Sequence, residues 1–139
     1  MTITPFNNAD IDLIWHRIKD YVQGAADYTY GRFTANDIRS RCKSQNQQLW
    51  IAHNGEEVYG FVITQMSDYP QLRALIMHFT GGKELPLWKD DMLKALQEFA
   101  RNNGCDIIES YGRGGWAKVF KNDGFESKFM FYELPVETV

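Results

Sequence analysis

The sequence is poor in the residues that build disulfides, metal sites and nucleic-acid grips. It has two cysteines in 139 residues, Cys42 and Cys105, and no CxxC pair. That spacing excludes a zinc knuckle and a thioredoxin-like motif. Both thiols are expected to be reduced and partly buried, as in a cytoplasmic protein. The three histidines, at 16, 53 and 78, show no metal-ligand spacing, so no metal is expected. Positive charge is not in excess: 15 Lys and Arg stand against 18 Asp and Glu, a net charge of -3. That balance gives no reason to expect nucleic acid as a partner. No apolar run approaches the roughly 20 residues that a membrane helix needs, so no membrane partner is expected. The opening Met1-Thr2-Ile3-Thr4-Pro5 lacks the basic and apolar regions of a signal peptide.

What is present is an ordinary globular balance, with 44% hydrophobic and 24% charged residues. The length suits one domain, residues 1–139, around one core. Thr2 to Phe6 alternates weakly as a first strand. Asn7, Asn8 and Asp10 offer N-caps, and Ile11, Ile14, Ile18, Tyr21, Val22 and Ala25 then recur at helical spacing. Thr34 to Asp37 approximates a capping box that opens a second helix, through about Ser44. Gln48 to His53 and Val58 to Thr64 read as strands joined by a tight Asn54-Gly55 hairpin turn. Another strand runs to Phe79. Leu72, Ala74, Ile76 and His78 lie on one face of it, and Arg73, Leu75, Met77 and Phe79 on the other. Thr80-Gly81-Gly82-Lys83 reads as a turn, and Pro86 fits the first turn of a helix striped by Trp88, Met92, Ala95, Leu96 and Phe99. Asp106 to Tyr111 is a strand, a short helix around Trp116 follows, and Phe125 to Leu134 is a last strand. The order β-α-α-β-β-β-α-β-α-β mixes hairpins with helical crossovers. It predicts an α+β fold with a mixed sheet flanked by helices.

The segment from Tyr111 to Phe125, Tyr-Gly-Arg-Gly-Gly-Trp-Ala-Lys-Val-Phe-Lys-Asn-Asp-Gly-Phe, resembles the C-terminal signature of the GNAT acyl-CoA N-acyltransferases. The element order is similar to the GNAT fold over essentially the whole chain. The resemblance implies an N-acyltransferase, with acetyl-CoA as the default donor and a small-molecule or protein amine as acceptor. The pattern departs from the family at several points. The position of the family's frequent general-acid tyrosine falls on Phe120, its alanine on Trp116 and its asparagine on Arg113. The R/Q-x-x-G-x-G/A pattern that holds the CoA pyrophosphate is not kept in Phe79-Thr80-Gly81-Gly82-Lys83. Only one strand's worth of residues follows Gly124-Phe125. The chain also looks like small GNAT-like proteins of tailed bacteriophages, some of them virion-associated. That likeness implies an alternative: a catalytically inactive domain acting through protein contacts in an assembly.

A strand-glycine-helix junction presents free N–H groups and a helix dipole to a phosphate, which makes Phe79, Thr80, Gly81, Gly82 and Lys83 candidates for the CoA pyrophosphate. The plain alternative is a β-α turn that needs glycine. Arg113 has the planar fork for a phosphate, and Trp116 lies where the acyl-CoA arm of the family would pass or serves as an anchor for a partner. His78 and Glu109 are candidate bases; the alternatives are a hydrogen-bonded histidine on a sheet face and an ion-pair partner. Tyr111 is the phenol that could replace the missing acid. The aromatic loop Tyr28-Thr29-Tyr30-Gly31-Arg32-Phe33 either lines an acceptor pocket or caps the core.

Overall fold

A computed structural model describes residues 1–111 and 122–138. Among the described residues, five strands form one sheet in the order β1-β2-β3-β4-β5: Thr2–Phe6, Gln48–His53, Val58–Asp68, Arg73–Gly82 and Ile107–Ser110. The first four are antiparallel neighbours, and β5 joins β4 in parallel. Helices α1 (Ile11–Asp27) and α2 (Ala35–Ser44) connect β1 to β2, and α3 (Lys89–Asn102) makes the crossover from β4 to β5.

Strand periodicity divides the core in two. Leu49, Ile51, Phe61 and Ile63 pack under Ile11, Ile18 and Val22 of α1 and Ile38 and Cys42 of α2. Their neighbours Trp50, Ala52 and Val62 face the opposite way, with Leu75 and Met77, onto Met92, Leu96 and Ala100 of α3. Central strands buried on both faces read as continuous apolar runs, as β2, β3 and β4 do. Burial pushes the Cys42 thiol up to about 11, so it packs as a small apolar group.

Local chemistry sets the connections. Thr34 Oγ1 accepts the Asp37 amide (3.1 Å) while Asp37 Oδ2 accepts the Thr34 amide (2.9 Å), a complete capping box. These bonds hold the Asp37 carboxyl below its usual range. In the β2–β3 hairpin, Asn54 Oδ1 accepts the amides of Glu56 and Glu57 (3.0 and 2.8 Å), and Gly55 takes φ +96°.

Three sequence expectations need correction. Thr80, Gly81 and Gly82 are not a turn: they are the end of β4, paired with Val62, Phe61 and Gly60. Phe79 does not share a face with Leu75 and Met77. Ile63 faces Phe79 while Thr64 faces Met77, so a β-bulge inserts His78 and reverses the alternation. Phe79 thus packs in the core under α1 and α2. Residues 125–134 form no strand. Phe129, Met130, Phe131 and Tyr132 run without a polar alternate, and all are exposed. Phe125 packs against the α3 side of the core, and farther on Arg32, in the loop between α1 and α2, pairs with Glu133 and stands 5.0 Å over the Phe131 ring. The helix expected around Trp116 lies outside the described residues, as do Arg113 and Phe120.

Candidate active site

The parallel pairing of β4 and β5 runs from Ala74↔Ile107 to Met77↔Ser110 and stops there. Beyond it β4 continues along β3 to Gly82, while β5 has ended. The parting leaves a cavity of about 520 Å³. Met77, His78, Phe79 and Thr80 form its β4 wall, with Ser110 and Tyr111 across from them. Tyr21, Gly24, Tyr28 and Thr29 close it from α1 and the loop that follows, and Glu84, Leu85 and Trp88 from the start of the crossover. A bulge and a strand end each leave backbone groups without a ladder partner.

His78 is half-buried, and its Nε2 lies 3.1 Å from Gln65 Oε1. Burial first, and the Arg41 charge second, hold its pKa below 6.5. The ring is therefore neutral at physiological pH, with one nitrogen free to take a proton. Its neighbour Phe79 is fixed by an edge-on contact with Phe33, 5.3 Å between centroids. Tyr111 lines the same cavity and is exposed. Glu109 faces Ile76 and is outside the cavity lining; its Oε2 accepts the Tyr69 hydroxyl at 2.9 Å. That carboxylate, with lesser contributions from burial and Tyr111, pushes the Tyr69 phenol up to about 12.

The paired glycines have a packing role. A Cβ on Gly81 would sit 2.6 Å from the Tyr21 carbonyl oxygen. One on Gly82 would sit 2.3 Å from the Tyr59 carbonyl oxygen and 2.6 Å from Gly60 Cα. Gly60, opposite Gly82 on β3, has Trp88 Cζ2 at 2.4 Å from the same ideal position. Trp88 is 1% exposed, and its indole N–H donates to the Lys83 carbonyl at 2.9 Å. Three glycines thus let β3, β4, α1 and Trp88 close together, a demand the sequence shows only as Gly-Gly.

The junction after β4 is not a simple helix start. Glu84 adopts φ 49° and ψ 46°, and a 3-10 turn over Leu85–Leu87 precedes α3. The Leu87 and Trp88 amides donate to the Glu84 and Leu85 carbonyls, and the Lys83 amide to Tyr59. Pro86 has no N–H, and Asp90 and Asp91 occupy the first turn of α3. Lys83 pairs with Glu57 and stands 4.8 Å over the Tyr59 ring. Its pKa is raised mainly by that carboxylate. The side chain is therefore committed to β3. We expect Lys83→Ala to leave acyl-CoA affinity unchanged by calorimetry; a large loss would place the ammonium on a phosphate. Among the described residues lining the cavity there is no Lys or Arg, while Asp20 and Glu84 are acidic. The described part of the cavity therefore offers no positive side-chain charge to a phosphate.

Several residues in the cavity wall or behind it carried no sequence signal. Ser110 is an ordinary strand residue until β5 ends at it. Gln65 becomes visible only when the bulge brings His78 beside it. Tyr21 and Trp88 read as core stripe positions, which they also are.

No protein-family model and no curated protein matches this chain. Solved structures do. A probable acetyltransferase superposes with a TM-score of 0.72 at 19% identity, covering 99% of this chain and 99% of that one. A ribosomal-protein-alanine N-acetyltransferase from Brucella melitensis biovar Abortus 2308 gives 0.72 at 13% identity, covering 98% and 100%. An aminoglycoside acetyltransferase from an uncultured soil metagenomic sample, in complex with sisomicin, gives 0.65 at 11% identity, covering 97% and 96%. At these identities the likeness speaks to architecture, and the architecture of this chain is the GNAT acetyltransferase fold.

Proposed function

We propose that the protein is an N-acyltransferase that moves an acyl group from an acyl-CoA thioester, acetyl-CoA by default, to an amine. The observation that carries this reading is the cavity where β4 and β5 part, with a neutral imidazole and a β-bulge on its β4 wall. The thioester occupies the parting between the strands. The amine enters from the side of Tyr28 and Thr29 and attacks the carbonyl carbon. His78 takes the proton that the amine loses as the new C–N bond forms. A backbone N–H at the bulge stabilises the oxyanion. Collapse of the tetrahedral intermediate breaks the C–S bond, and Tyr111 supplies a proton to the departing thiolate. Arg113, which departs from the family's asparagine, offers a planar guanidinium to a phosphate of the donor, and Trp116, in place of the family's alanine, stands where the acyl-CoA arm would pass.

The pH dependence follows from the direction of the His78 shift. The base works only when neutral, and its folded-state pKa lies below 6.5. With kcat/KM referred to the unprotonated fraction of the amine, the acid limb is therefore expected below pH 6.5, and a limb above that value would assign the base elsewhere. The sign for stability is the same. Between the folded and unfolded pKa values the unfolded chain binds more protons at His78, so this group costs stability as pH falls through 6.5.

Isothermal titration of acetyl-CoA into the purified protein tests the donor. Binding in the micromolar range, about -8 kcal/mol, supports the reading. No binding at millimolar ligand sinks it. A second reading, a GNAT-fold domain that binds protein without turnover, is favoured by one observation: Phe129, Met130, Phe131 and Tyr132 are 99%, 74%, 75% and 82% exposed. Exposed apolar patches often mark contact surfaces. It predicts that Phe129→Ser and Phe131→Ser weaken capture of a partner while acetyl-CoA binding stays absent.

A further inference from the structure

His78 does not stand alone on its face of the sheet. Gln47 is 3% exposed, and its Nε2 donates to Gln65 Oε1 at 3.2 Å. The same oxygen lies 3.1 Å from His78 Nε2. An amide oxygen offers two lone pairs and no proton, so it can receive both groups at once. We infer that Gln65, itself held by Gln47, is a positioning residue that fixes His78 as the Nε2–H tautomer and leaves Nδ1 as the atom that accepts a proton. This assignment rests on the proposed role of His78 as base only for its catalytic consequence; the tautomer stands or falls by itself.

The orientation of the two amides follows from their surroundings. Turned over together, they would make the same contacts with donors and acceptors exchanged, and His78 would become the Nδ1–H tautomer. The unpaired atoms argue against that arrangement. The atom of Gln47 left without a partner is its Oε1, an acceptor. The flipped amide would leave a buried N–H in that place, and an orphaned buried donor is rarer than an orphaned carbonyl oxygen. Arg41 on α2 is the charged group that acts on the ring. Glu109 of β5 receives the Tyr69 hydroxyl, and Tyr111 lies on the cavity.

The protein contains its own standard. His53 Nδ1 accepts the Gly55 amide at 3.0 Å, a donor that cannot be turned over, and its Nε2 therefore donates to Thr4 Oγ1 at 2.7 Å. His53 must be the Nε2–H tautomer. Long-range 15N–1H spectra of the wild-type imidazoles, recorded above pH 7.5, read both rings directly. His78 signals are assigned by their loss in His78→Ala. The expected result is an unprotonated Nδ1 and a protonated Nε2 for His78, the same pattern as His53. A protonated Nδ1 overturns the inference, whatever acetyl-CoA does. In Gln65→Leu the His78 pattern is expected to become a mixture of tautomers. In Gln65→Glu the Nε2–H form should persist, with the His78 titration moved to higher pH by the added carboxylate. If turnover is found, Gln65→Leu should lower kcat with little change in KM for acetyl-CoA. Gln65→Glu should restore much of that loss and carry the acid limb upward with the His78 titration. An unmoved His78 titration and pattern in both variants would make Gln65 a bystander. Absent turnover with the expected tautomer pattern would retire the acyltransferase reading and leave the positioning of the ring intact.

Discussion

Gly82→Ala should destabilise the domain by about 3–5 kcal/mol, combining backbone strain with overpacking. The residue adopts φ +148°, a conformation that side chains rarely take. The added methyl would meet backbone on two sides, Tyr59 O at 2.3 Å and Gly60 Cα at 2.6 Å, and neither can rotate away. Gly60 in turn cannot retreat, because Trp88 fills the space beside it. The expected result is a drop in Tm of more than 10 °C, since about 1 kcal/mol shifts Tm by roughly 3–6 °C at this size. A Tm within a few degrees of wild type would mean that β3 and β4 are farther apart at this point. The consequence for function is direct. A loss of acyl-CoA binding in any bulky Gly82 variant, Gly82→Glu included, would report the fold before it reported a phosphate contact. Binding experiments on this segment need a folded reference such as Lys83→Ala.

His78→Ala should lower kcat by about 10²–10⁴-fold, the usual contribution of a positioned general base. The corresponding barrier increase is about 3–5 kcal/mol. His78 is only half-buried and is the extra residue of a bulge, so its removal leaves the ladder on either side, Ile63↔Phe79 and Thr64↔Met77, in place. The variant should fold and bind acetyl-CoA near the wild-type level. Retained turnover would transfer the base role elsewhere; Glu109 would first have to give up the Tyr69 hydroxyl. Loss of acetyl-CoA binding with the fold intact would make His78 a donor-binding residue instead.

Much of the architecture was legible because it depends on local and periodic signals. The Thr34–Asp37 box, the Asn54-Gly55 turn and the two-sided apolar runs of β2 and β3 each act over a few residues. What was illegible depends on long-range fit. A bulge changes the face of every later residue in its strand, and Met77-His78-Phe79 shows nothing of that shift in sequence. Gly81-Gly82 reads equally as a phosphate turn or a close-packed strand end until Tyr21, Tyr59 and Trp88 are placed around it. The aromatic run after Phe125 has strong strand-forming composition, yet strand pairing needs a partner edge as well as propensity. Of the residues expected to form the site, His78, Phe79, Thr80, Gly81, Gly82 and Tyr111 line one cavity. Lys83 and Glu109 are engaged elsewhere, and Arg113 and Trp116 lie outside the described residues.

Acyl transfer itself is most directly tested by following free thiol released from acetyl-CoA in the presence of a panel of amines: free amino acids, an N-terminal alanine peptide, a polyamine and an aminoglycoside. The parted strands with a neutral His78 between them predict amine-dependent thiol release that His78→Ala removes. Thiol release indistinguishable from solvent hydrolysis for every amine, with the protein folded and acetyl-CoA unbound, would contradict an acyltransferase and leave a GNAT-fold domain with another task.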